Sequence, residues 1–410
     1  MPATSNPPLA PVEPKGRIQA LDVIRGLAIL GILAVNADGF AAPMMGALHP
    51  PSWPFPNVGW TALSYWIMET GFHEKFITLF SMLFGVSVFL VGGERTDKAK
   101  GRVLWRRLAV LFVLAMIHGF GIWWGDILSL YAVTGMIMLF CRSWGPRTLL
   151  VVGVALYLGM GFRHFDPAVL PFAPPAAHAE AAAELIPGPA EAGRKAMAAA
   201  ETEEARSSWA GAYRVNTREY LRITSGYPYQ IPSTLGLMMI GLSLFKSGFL
   251  AGRSSSRRYG LVLTAGAIAL GVVAWLSWRS TMLETPVLGA HHLELLLTPL
   301  ISLAYAAGLI LLLRTRLKGA LSPFAAAGRM AFTNYLSQSI IMTMIFYGGR
   351  GGLMGQVDRP ALWAIVIAIW ALQLIWSPLW LSRFTMGPFE WVWRCLTYGR
   401  RVPLLRPSAA

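Results

Sequence analysis

Residues 17–36 read RIQALDVIRGLAILGILAVN, an apolar stretch that carries Asp22 and Arg25 near its start and Asn36 at its end. Its apolar part is long enough to cross ~30 Å of hydrocarbon as a helix. Charged groups at membrane depth are costly, so those that a membrane helix keeps usually face its neighbours or a water-filled interior. The stretch therefore predicts a membrane helix that is packed inside a bundle.

The composition of the whole chain indicates the same class of protein. Its 410 residues are 55% hydrophobic and 13% charged, whereas ~25% of the residues of a soluble protein are charged, and the mean hydropathy is +0.51. We predict an all-α, polytopic integral membrane helix bundle. About ten apolar runs can span the membrane: 21–41, 76–93, 104–123, 126–142, 148–164, 232–250, 259–278, 294–313, 329–348 and 361–382.

The basic residues predict how the chain is oriented. The formal net charge is +15, and most basic residues lie in connections on the side of the N-terminus, whereas WWGD at 123–126 on the other side has none. The positive-inside rule therefore places both termini in the cytoplasm, and no nucleic-acid partner is needed to explain the charge. The predicted parts are a cytoplasmic tail (1–17), helices one to five (18–164), an external loop with an amphipathic helix (165–230), helices six to ten (231–382) and a cytoplasmic interfacial helix with a basic tail (383–410).

One layer of polar residues lies toward the predicted cytoplasmic side. Asp22 and Arg25 are one turn apart on the first helix, and Arg106, Arg107 and Arg329 lie at comparable depth on other helices. Arginine forks match the oxygens of phosphate groups, so these residues predict a basic rim that binds an anionic cytoplasmic ligand. In the alternative interpretation, Asp22 and Arg25 only neutralise each other.

A second layer lies toward the opposite side and contains His118 and Asp126. The segment MIHGFGIWWGDIL places them on the two sides of a tight Gly-rich reversal. A carboxylate beside a histidine fixes the tautomer of the imidazole and stabilises its charged form, as a general base requires. The alternative is structural: Asp126 caps its own helix, and His118 bonds a neighbouring carbonyl group.

The segment before the second span offers a competing base. Glu69 and His73 are four residues apart, which aligns them if the segment is helical, and Lys75 follows closely. Adjacent histidines at 291–292 suggest a metal at first, but neighbouring side chains on a helix point apart and no further ligand has suitable spacing. We therefore expect no metal site.

Amide side chains form the last group of candidates. Asn36 ends the first span, and Asn334 and Gln338 are four residues apart in the ninth. Lining a substrate chamber is one interpretation, and joining helices to each other is the other, because buried amides in membrane helices often only do that.

Five segments resemble, in order, the YeiB-like bacterial membrane proteins, a family known chiefly by a C-terminal domain of unknown function. They are RIQALDVIRGLAILGILAVN, KFITLFSMLFG, WRRLAVLFVLAMIHGFGIWWGDILSLYA, GRMAFTNYLSQS and SPLWLSRFTMGPFEWVWRCLTYG. The resemblance covers most of the chain except residues 165–230, and GPFEWVWRCLTYG is its most specific part.

The family is similar, more distantly, to membrane acyltransferases such as heparan-α-glucosaminide N-acetyltransferase and the sugar O-acyltransferases. The shared LDxxRGL opening is carried by Leu21, Asp22, Arg25, Gly26 and Leu27. This similarity implies a protein of the bacterial cytoplasmic (inner) membrane and an acyl-CoA donor, with acetyl-CoA expected first. It also implies an acceptor hydroxyl or amine on an envelope glycan or lipid, and a membrane histidine at the reacting centre. The segment around that histidine does not align, so the similarity does not choose between His73 and His118.

The expected mechanism has His118, oriented by Asp126, removing a proton from the acceptor. Lys75, Asn36 or Asn334 then donates to the developing oxyanion. In this interpretation the inner basic rim binds the phosphates of the donor. A transporter or lipid flippase that uses the same buried polar residues is the alternative.

Overall fold

Helices make up all the regular secondary structure of the described residues, apart from one isolated bridge between Phe384 and Leu405. The computed structural model describes residues 18–48, 50–162, 189–285 and 287–406. The helices are α1 (Gln19–Ala41), α2 (Met44–Leu48), α3 (Gly59–Gly71), α4 (Lys75–Gly92), α5 (Lys98–Gly121), α6 (Leu128–Cys141), α7 (Pro146–Gly161), α8 (Pro189–Ser207), α9 (Trp209–Ser225), α10 (Tyr227–Lys246), α11 (Ser256–Met282), α12 (Ala290–Leu313), α13 (Ser322–Arg329), α14 (Ala331–Phe346), α15 (Arg359–Arg383) and α16 (Pro388–Tyr398). The prediction of an all-α fold is confirmed.

Six helical segments in the described part of the chain are long and apolar enough to cross a membrane. They are Gln19–Ala41, Gly59–Gly92, Lys98–Gly121, Ser256–Met282, Ala290–Leu313 and Arg359–Arg383, and two shorter apolar helices are Leu128–Cys141 and Pro146–Gly159. The prediction of a polytopic membrane helix bundle is therefore confirmed. Each of the ten apolar runs coincides with a helix, while the number of spans and the cytoplasmic position of both termini stay predictions.

Helix α1, which contains the stretch quoted first, lies at the centre of the bundle. It packs against α4 and α12 to α15, and most of its residues are buried. Glycines permit the closest of these contacts: a Cβ atom added to Gly26 would lie 1.9 Å from the carbonyl oxygen of Phe324, and one added to Gly328 would lie 1.9 Å from that of Asp22. The backbones of α1 and α13 therefore touch directly, as small residues allow in membrane bundles.

Helices α8 and α9 lie in the stretch predicted to form an external loop. Asn216 of α9 donates from Nδ2 to the carbonyl oxygens of Gly119 (2.9 Å) and Phe120 (3.1 Å). These bonds satisfy carbonyl groups that the last turn of α5 leaves without helical partners. They fix the end of α5 next to His118. The predicted tail, 1–17, the last two residues of the predicted part 18–164 and the first part of the predicted loop, 165–188, lie outside the described residues.

Helix α16 packs against the opposite end of α5 and against α14. Trp393 donates from Nε1 to the carbonyl oxygen of Arg107 (2.8 Å). Glu390 accepts from the backbone N–H groups of Phe332 (2.8 Å) and Thr333 (3.1 Å), so its carboxylate caps the start of α14. The C-terminal segment thus holds α5 and α14 side by side, and these two helices carry the site described next.

Candidate functional site

His118 and Asp126 meet inside the bundle. His118 lies in the last turn of α5, and Asp126 lies in the short connection to α6. His118 Nδ1 and Asp126 Oδ1 are 2.9 Å apart, and their side chains are 1% and 0% exposed. The other carboxylate oxygen, Oδ2, accepts from the backbone N–H of Ser129 (2.9 Å). Asp126 therefore orients a histidine and caps a helix at the same time.

Tyrosine hydroxyl groups surround this pair. Those of Tyr227 and Tyr220 lie 2.5 Å and 3.2 Å from Ser129 Oγ. Burial raises the pKa of Tyr220 to about 12, so this hydroxyl stays protonated. It donates a hydrogen bond to Ser129 Oγ. The ring of Tyr335 lies 5.2 Å from that of His118, measured between centroids. These tyrosines come from α10, α9 and α14, so the Asp126 side of the pair is enclosed by polar groups.

The second ring nitrogen of His118 has a different environment from the first. Nε2 is buried and has no hydrogen-bond partner among the described residues. When Nδ1 carries the proton and donates to Asp126, the lone pair is on Nε2, which is then the atom that can accept a proton. The pair thus has the form of a general base with its orienting carboxylate.

His118 also lines an apolar cavity of about 100 Å³ between α5, α14 and α16, which we name the lateral groove. Its other lining residues are Leu114, Ile117, Ile122, Phe332, Leu336, Ile340, Phe389 and Val392. Ile117 is 60% exposed and Ile340 is 38% exposed on the outside of the bundle. The lateral groove therefore lies where the predicted lipid surrounds the protein, and among the described residues His118 is the one ionisable side chain that lines it.

The competing base belongs to a second group, the ion-pair cluster, formed by Glu69, His73, Lys75 and Glu294. His73 Nδ1 lies 3.1 Å from Glu69 Oε1. The predicted pairing is therefore present, but it does not lie within one helix, because α3 ends at Gly71. Lys75 is fully buried and donates to Glu294 Oε1 (2.5 Å) and to the carbonyl oxygen of Glu69 (3.1 Å). Ligand atoms of Glu69, His73 and Glu294 lie within 4.8 Å of one another, as a metal site would need. The Lys75 ammonium group already pairs with one of the two carboxylates, so the chain itself balances part of the negative charge of the cluster.

A further buried pair joins α1 to the start of α15. Arg359 donates from Nε to Asp38 Oδ2 (3.0 Å), and its guanidinium lies 4.1 Å and 4.7 Å from the ring centroids of Trp53 and Tyr65. Its Nη1 and Nη2 atoms have no hydrogen-bond partner in the described part of the chain. The aromatic rings stabilise the cation by cation–π contact. No residue of this pair was a sequence candidate.

The residues of the predicted inner layer lie in three different places. Arg25 pairs with Asp22 (3.1 Å) and donates to Ser87 Oγ (3.4 Å). Arg107 lies over the ring of Trp393 (4.1 Å), and the charges of Arg25 and Arg394 are close enough to act on it. We name Arg25, Arg107 and Arg394 the arginine cluster. Asp22 pairs with Arg25, and the charge of Glu390 also acts on Arg107. Three guanidinium groups exceed these two carboxylates, and an excess of positive charge favours the binding of an anion.

Arg106 and Arg329 lie apart from the arginine cluster. Arg329 donates from Nη2 to the carbonyl oxygen of Thr385 (3.5 Å). Arg106 lines a cavity of about 720 Å³, which we name the basic pocket, at the start of α5 and the end of α6. Its other lining residues are Arg95, Lys98, Gly101, Arg102, Trp105 and Arg142.

The chain is similar to a family of known proteins. Residues 244–400 match a family described as a protein of unknown function (DUF418). The chain is 31% identical over 414 residues to "Uncharacterized protein YxaH" of Bacillus subtilis (strain 168), with 98% of this chain and 99% of the relative covered. It is 32% identical over 411 residues to "Uncharacterized protein YeiB" of Escherichia coli (strain K12), with 95% and 98% covered. The chain belongs to this YeiB-like family. His118 and Asp126 lie before the segment that matches the family, and α11 to α16 lie within it.

The amides of this YeiB-like chain join helices. Asn334 Nδ2 donates to the carbonyl oxygen of Ala327 (3.1 Å), and its Oδ1 accepts from Trp376 Nε1 (3.0 Å). Gln338 Nε2 donates to Gln373 Oε1 (2.8 Å). Both amides are buried and bonded within the bundle, which favours the structural interpretation. Asn36 is half-buried, and we find no hydrogen bond of its side chain among the described residues.

Proposed function

We propose that this YeiB-like protein is a membrane acyltransferase that transfers an acyl group from acyl-CoA to a hydroxyl or amine of an envelope glycan or lipid. The observation that carries the proposal is the buried His118–Asp126 pair, in which Nδ1 is held by a carboxylate and Nε2 has no partner in the described structure. A histidine oriented in this way is suited to general-base catalysis of acyl transfer. The resemblance to membrane acyltransferases favours acetyl-CoA as the donor.

In the reaction proposed for His118, the imidazole first accepts a proton and later returns it. Nε2 takes the proton of an acceptor hydroxyl while the acceptor oxygen attacks the thioester carbonyl. The carbon–sulfur bond breaks, and the imidazolium returns its proton to the leaving CoA thiolate. Asp126 keeps the Nδ1 proton in place and stabilises the imidazolium in between. The products are an acylated acceptor and free CoA.

The arginine cluster is the proposed site for the phosphates of the donor. Arg107 and His118 are eleven residues apart on α5, which is about three turns and ~16 Å, so they share one face of the helix. Arg25 and Arg394 add positive charge at the Arg107 end, and Arg guanidinium groups bind phosphate oxygens in pairs of hydrogen bonds. In the predicted orientation this end faces the cytoplasm of a bacterial cell, where acyl-CoA is available, and His118 lies toward the outer side of the cytoplasmic membrane.

The test compares two histidines that are each paired with a carboxylate. His118→Ala and His73→Ala are purified in detergent and reconstituted, and release of CoA from acetyl-CoA is measured with an envelope extract as the source of acceptor. We expect His118→Ala to lose transfer and His73→Ala to keep it, because only His118 has a free ring nitrogen beside the lateral groove. The reverse result assigns the base to the ion-pair cluster and refutes the proposal for His118.

Donor binding is tested separately by calorimetry with CoA and acetyl-CoA. Arg107→Gln should weaken both ligands, and Arg257→Gln, which removes an exposed charge from the start of α11, serves as the matched control. Wild-type protein that is folded and binds neither ligand would remove the support for a CoA-dependent enzyme.

A specific observation favours a second candidate, an ion-coupled transporter. The Asp38–Arg359 pair and the ion-pair cluster place buried charges on helices α1, α3, α4, α12 and α15 or next to them. Buried charges of this kind often mark ion paths in membrane proteins. Proton uptake by proteoliposomes that depends on Glu69 and not on CoA would support the transporter, whereas CoA release without any gradient would support the enzyme.

A further inference from the structure

The basic pocket is a strongly charged cavity that the proposed reaction does not use. Arg95, Lys98, Arg102, Arg106 and Arg142 line its volume of about 720 Å³, and no carboxylate does so among the described residues. Asp97 pairs with Lys100 (3.0 Å), which is not part of the lining, and the charges of Glu94 and Asp97 both act on Arg142 from beside the pocket. A cavity lined by five cations and no acid favours an anion, and its volume is within the usual range of ligand sites.

One of the five cations is held rigidly. Arg142 is 4% exposed and donates from Nε to the carbonyl oxygen of Gly93 (3.1 Å) and from Nη1 to that of Leu139 (2.5 Å). These bonds fix the guanidinium between the end of α4 and the end of α6. A pre-positioned guanidinium loses little side-chain entropy when it binds an anion. The pocket is therefore organised before any ligand arrives.

The basic pocket and the lateral groove lie on different faces of α5. Lys98, Arg102 and Trp105 are four and three residues apart, so they share a face. Arg102 and His118 are sixteen residues apart, which turns them about 160° around the helix axis from each other. A donor whose phosphates lay in the basic pocket would have to pass around α5 to reach His118. Arg107, in contrast, already lies on the face of His118, so the arginine cluster and not the basic pocket shares a face of α5 with the proposed base.

The position of the pocket points to a ligand from the membrane. It lies at the ends of apolar helices, where Lys98–Gly121 is one of the segments able to span a bilayer. Trp105, which lines it, is 50% exposed, and Trp144 just beyond Arg142 is 37% exposed. Half-exposed tryptophans at the ends of membrane helices mark the headgroup level, and basic pockets at that level attract anionic lipids.

We propose that the basic pocket binds the phosphate headgroup of an anionic phospholipid from the leaflet in which it lies. Guanidinium groups of Arg95, Arg102 and Arg142 bind the phosphodiester oxygens, and the indole of Trp105 lies against the glycerol and the first part of the acyl chains. A soluble phosphate compound offers the same anionic group without the chains. The lipid is bound at the start of α5, away from His118, and does not take part in the reaction.

The test measures lipid binding by the full-length protein in detergent. Fluorescent phosphatidylglycerol and phosphatidylcholine are titrated against wild type and Arg95→Gln/Arg102→Gln. The control is Arg257→Gln/Arg258→Gln, which removes the same charge from exposed residues at the start of α11, outside the pocket. Gel filtration confirms that each variant is folded.

We expect wild type to prefer phosphatidylglycerol and the pocket variant to bind it about 30-fold more weakly, or about fivefold for each arginine removed. The control variant and CoA binding should be unchanged. Equal weakening in both double variants would show a general charge effect and overturn the proposal. Loss of CoA binding in the pocket variant alone would overturn it too, because the pocket would then hold the donor.

A competition experiment separates the lipid from a soluble anion. Inorganic phosphate in the millimolar range should displace little of the bound phosphatidylglycerol, because the acyl chains hold the lipid in place. Complete displacement by phosphate, together with no preference for phosphatidylglycerol over phosphatidylcholine, would assign the pocket to a soluble anion. These outcomes do not depend on whether His118 catalyses acyl transfer.

Discussion

Replacing Asp126 by Asn changes the chemistry of His118 while leaving the shape of the site nearly intact. Asn can still accept the backbone hydrogen bond of Ser129 through Oδ1. Its Nδ2 group then faces His118 Nδ1, which is 2.9 Å from the carboxylate in the native site. Two N–H groups cannot bond each other, so the imidazole must move its proton to Nε2. The lone pair needed by the proposed general base is then on the wrong nitrogen.

The structure gives expected magnitudes for two variants of this residue. General-base catalysis contributes typically 10²–10⁴-fold, so Asp126→Asn should slow acyl transfer by about that factor. Its stability should fall by no more than about 1 kcal/mol, because both polar contacts have a partner. Asp126→Ala should slow transfer as strongly and also lose ~1 kcal/mol for the helix cap and ~1–3 kcal/mol for the unpaired His118 Nδ1 group.

The assay measures free CoA with a thiol-reactive dye, and thermal unfolding in detergent measures stability. Cys141 is buried and Cys395 is half-buried, and neither forms a disulfide, so a reaction without donor supplies the blank. Both variants should transfer acyl groups about 10²–10⁴-fold more slowly than wild type, and only Asp126→Ala should be clearly destabilised. An Asn variant that transfers acyl groups at nearly the wild-type rate would refute the reasoning, since Asp126 would then act only as a helix cap.

Three further predictions concern stability. Gly26→Ala would place a Cβ atom 1.9 Å from a carbonyl oxygen of α13. It should lower the free energy of unfolding by about 1–3 kcal/mol. In Gly260→Ala the added Cβ atom meets nothing within 4 Å, so the free energy of unfolding should not change. An equal effect of both would contradict the close contact of α1 and α13. Asp38→Asn leaves the buried Arg359 guanidinium without a carboxylate and should cost about 3–5 kcal/mol. The Asp38→Asn/Arg359→Leu double variant should regain part of the lost stability. If the double variant is as unstable as Asp38→Asn, the unpaired Arg359 charge is not the cause of the destabilisation. Burial raises the pKa of Glu219 from 4.5 to about 7, so between these values the folded chain holds a proton that the unfolded chain has lost. The free energy of unfolding should therefore rise as the pH falls from about 7 to 4.5. Glu219→Gln should flatten this pH dependence, and an unchanged slope would exclude Glu219 as its source.

The sequence by itself determined the class of fold and part of the site. Apolar runs of sufficient length predict helices wherever they occur, because a chain in lipid must satisfy its own backbone hydrogen bonds. His118 and Asp126 are only eight residues apart across a tight reversal, so their proximity follows from local geometry. The Glu69–His73 pair is local in the same way. Such contacts depend on the path of a few residues, which spacing describes well.

Only the tertiary structure decided which distant residues meet. Asp38 and Arg359 are 321 residues apart, and Lys75 and Glu294 are 219 apart. Their pairing depends on how helices are placed and rotated against each other, which close packing of side chains from many segments sets. The same rotation places Arg106 at the basic pocket and Arg107 over the ring of Trp393, although the two are neighbours in sequence. Hydropathy is a sum over single residues and carries no information about that rotation, so the sequence indicated one basic rim where the structure separates the arginines.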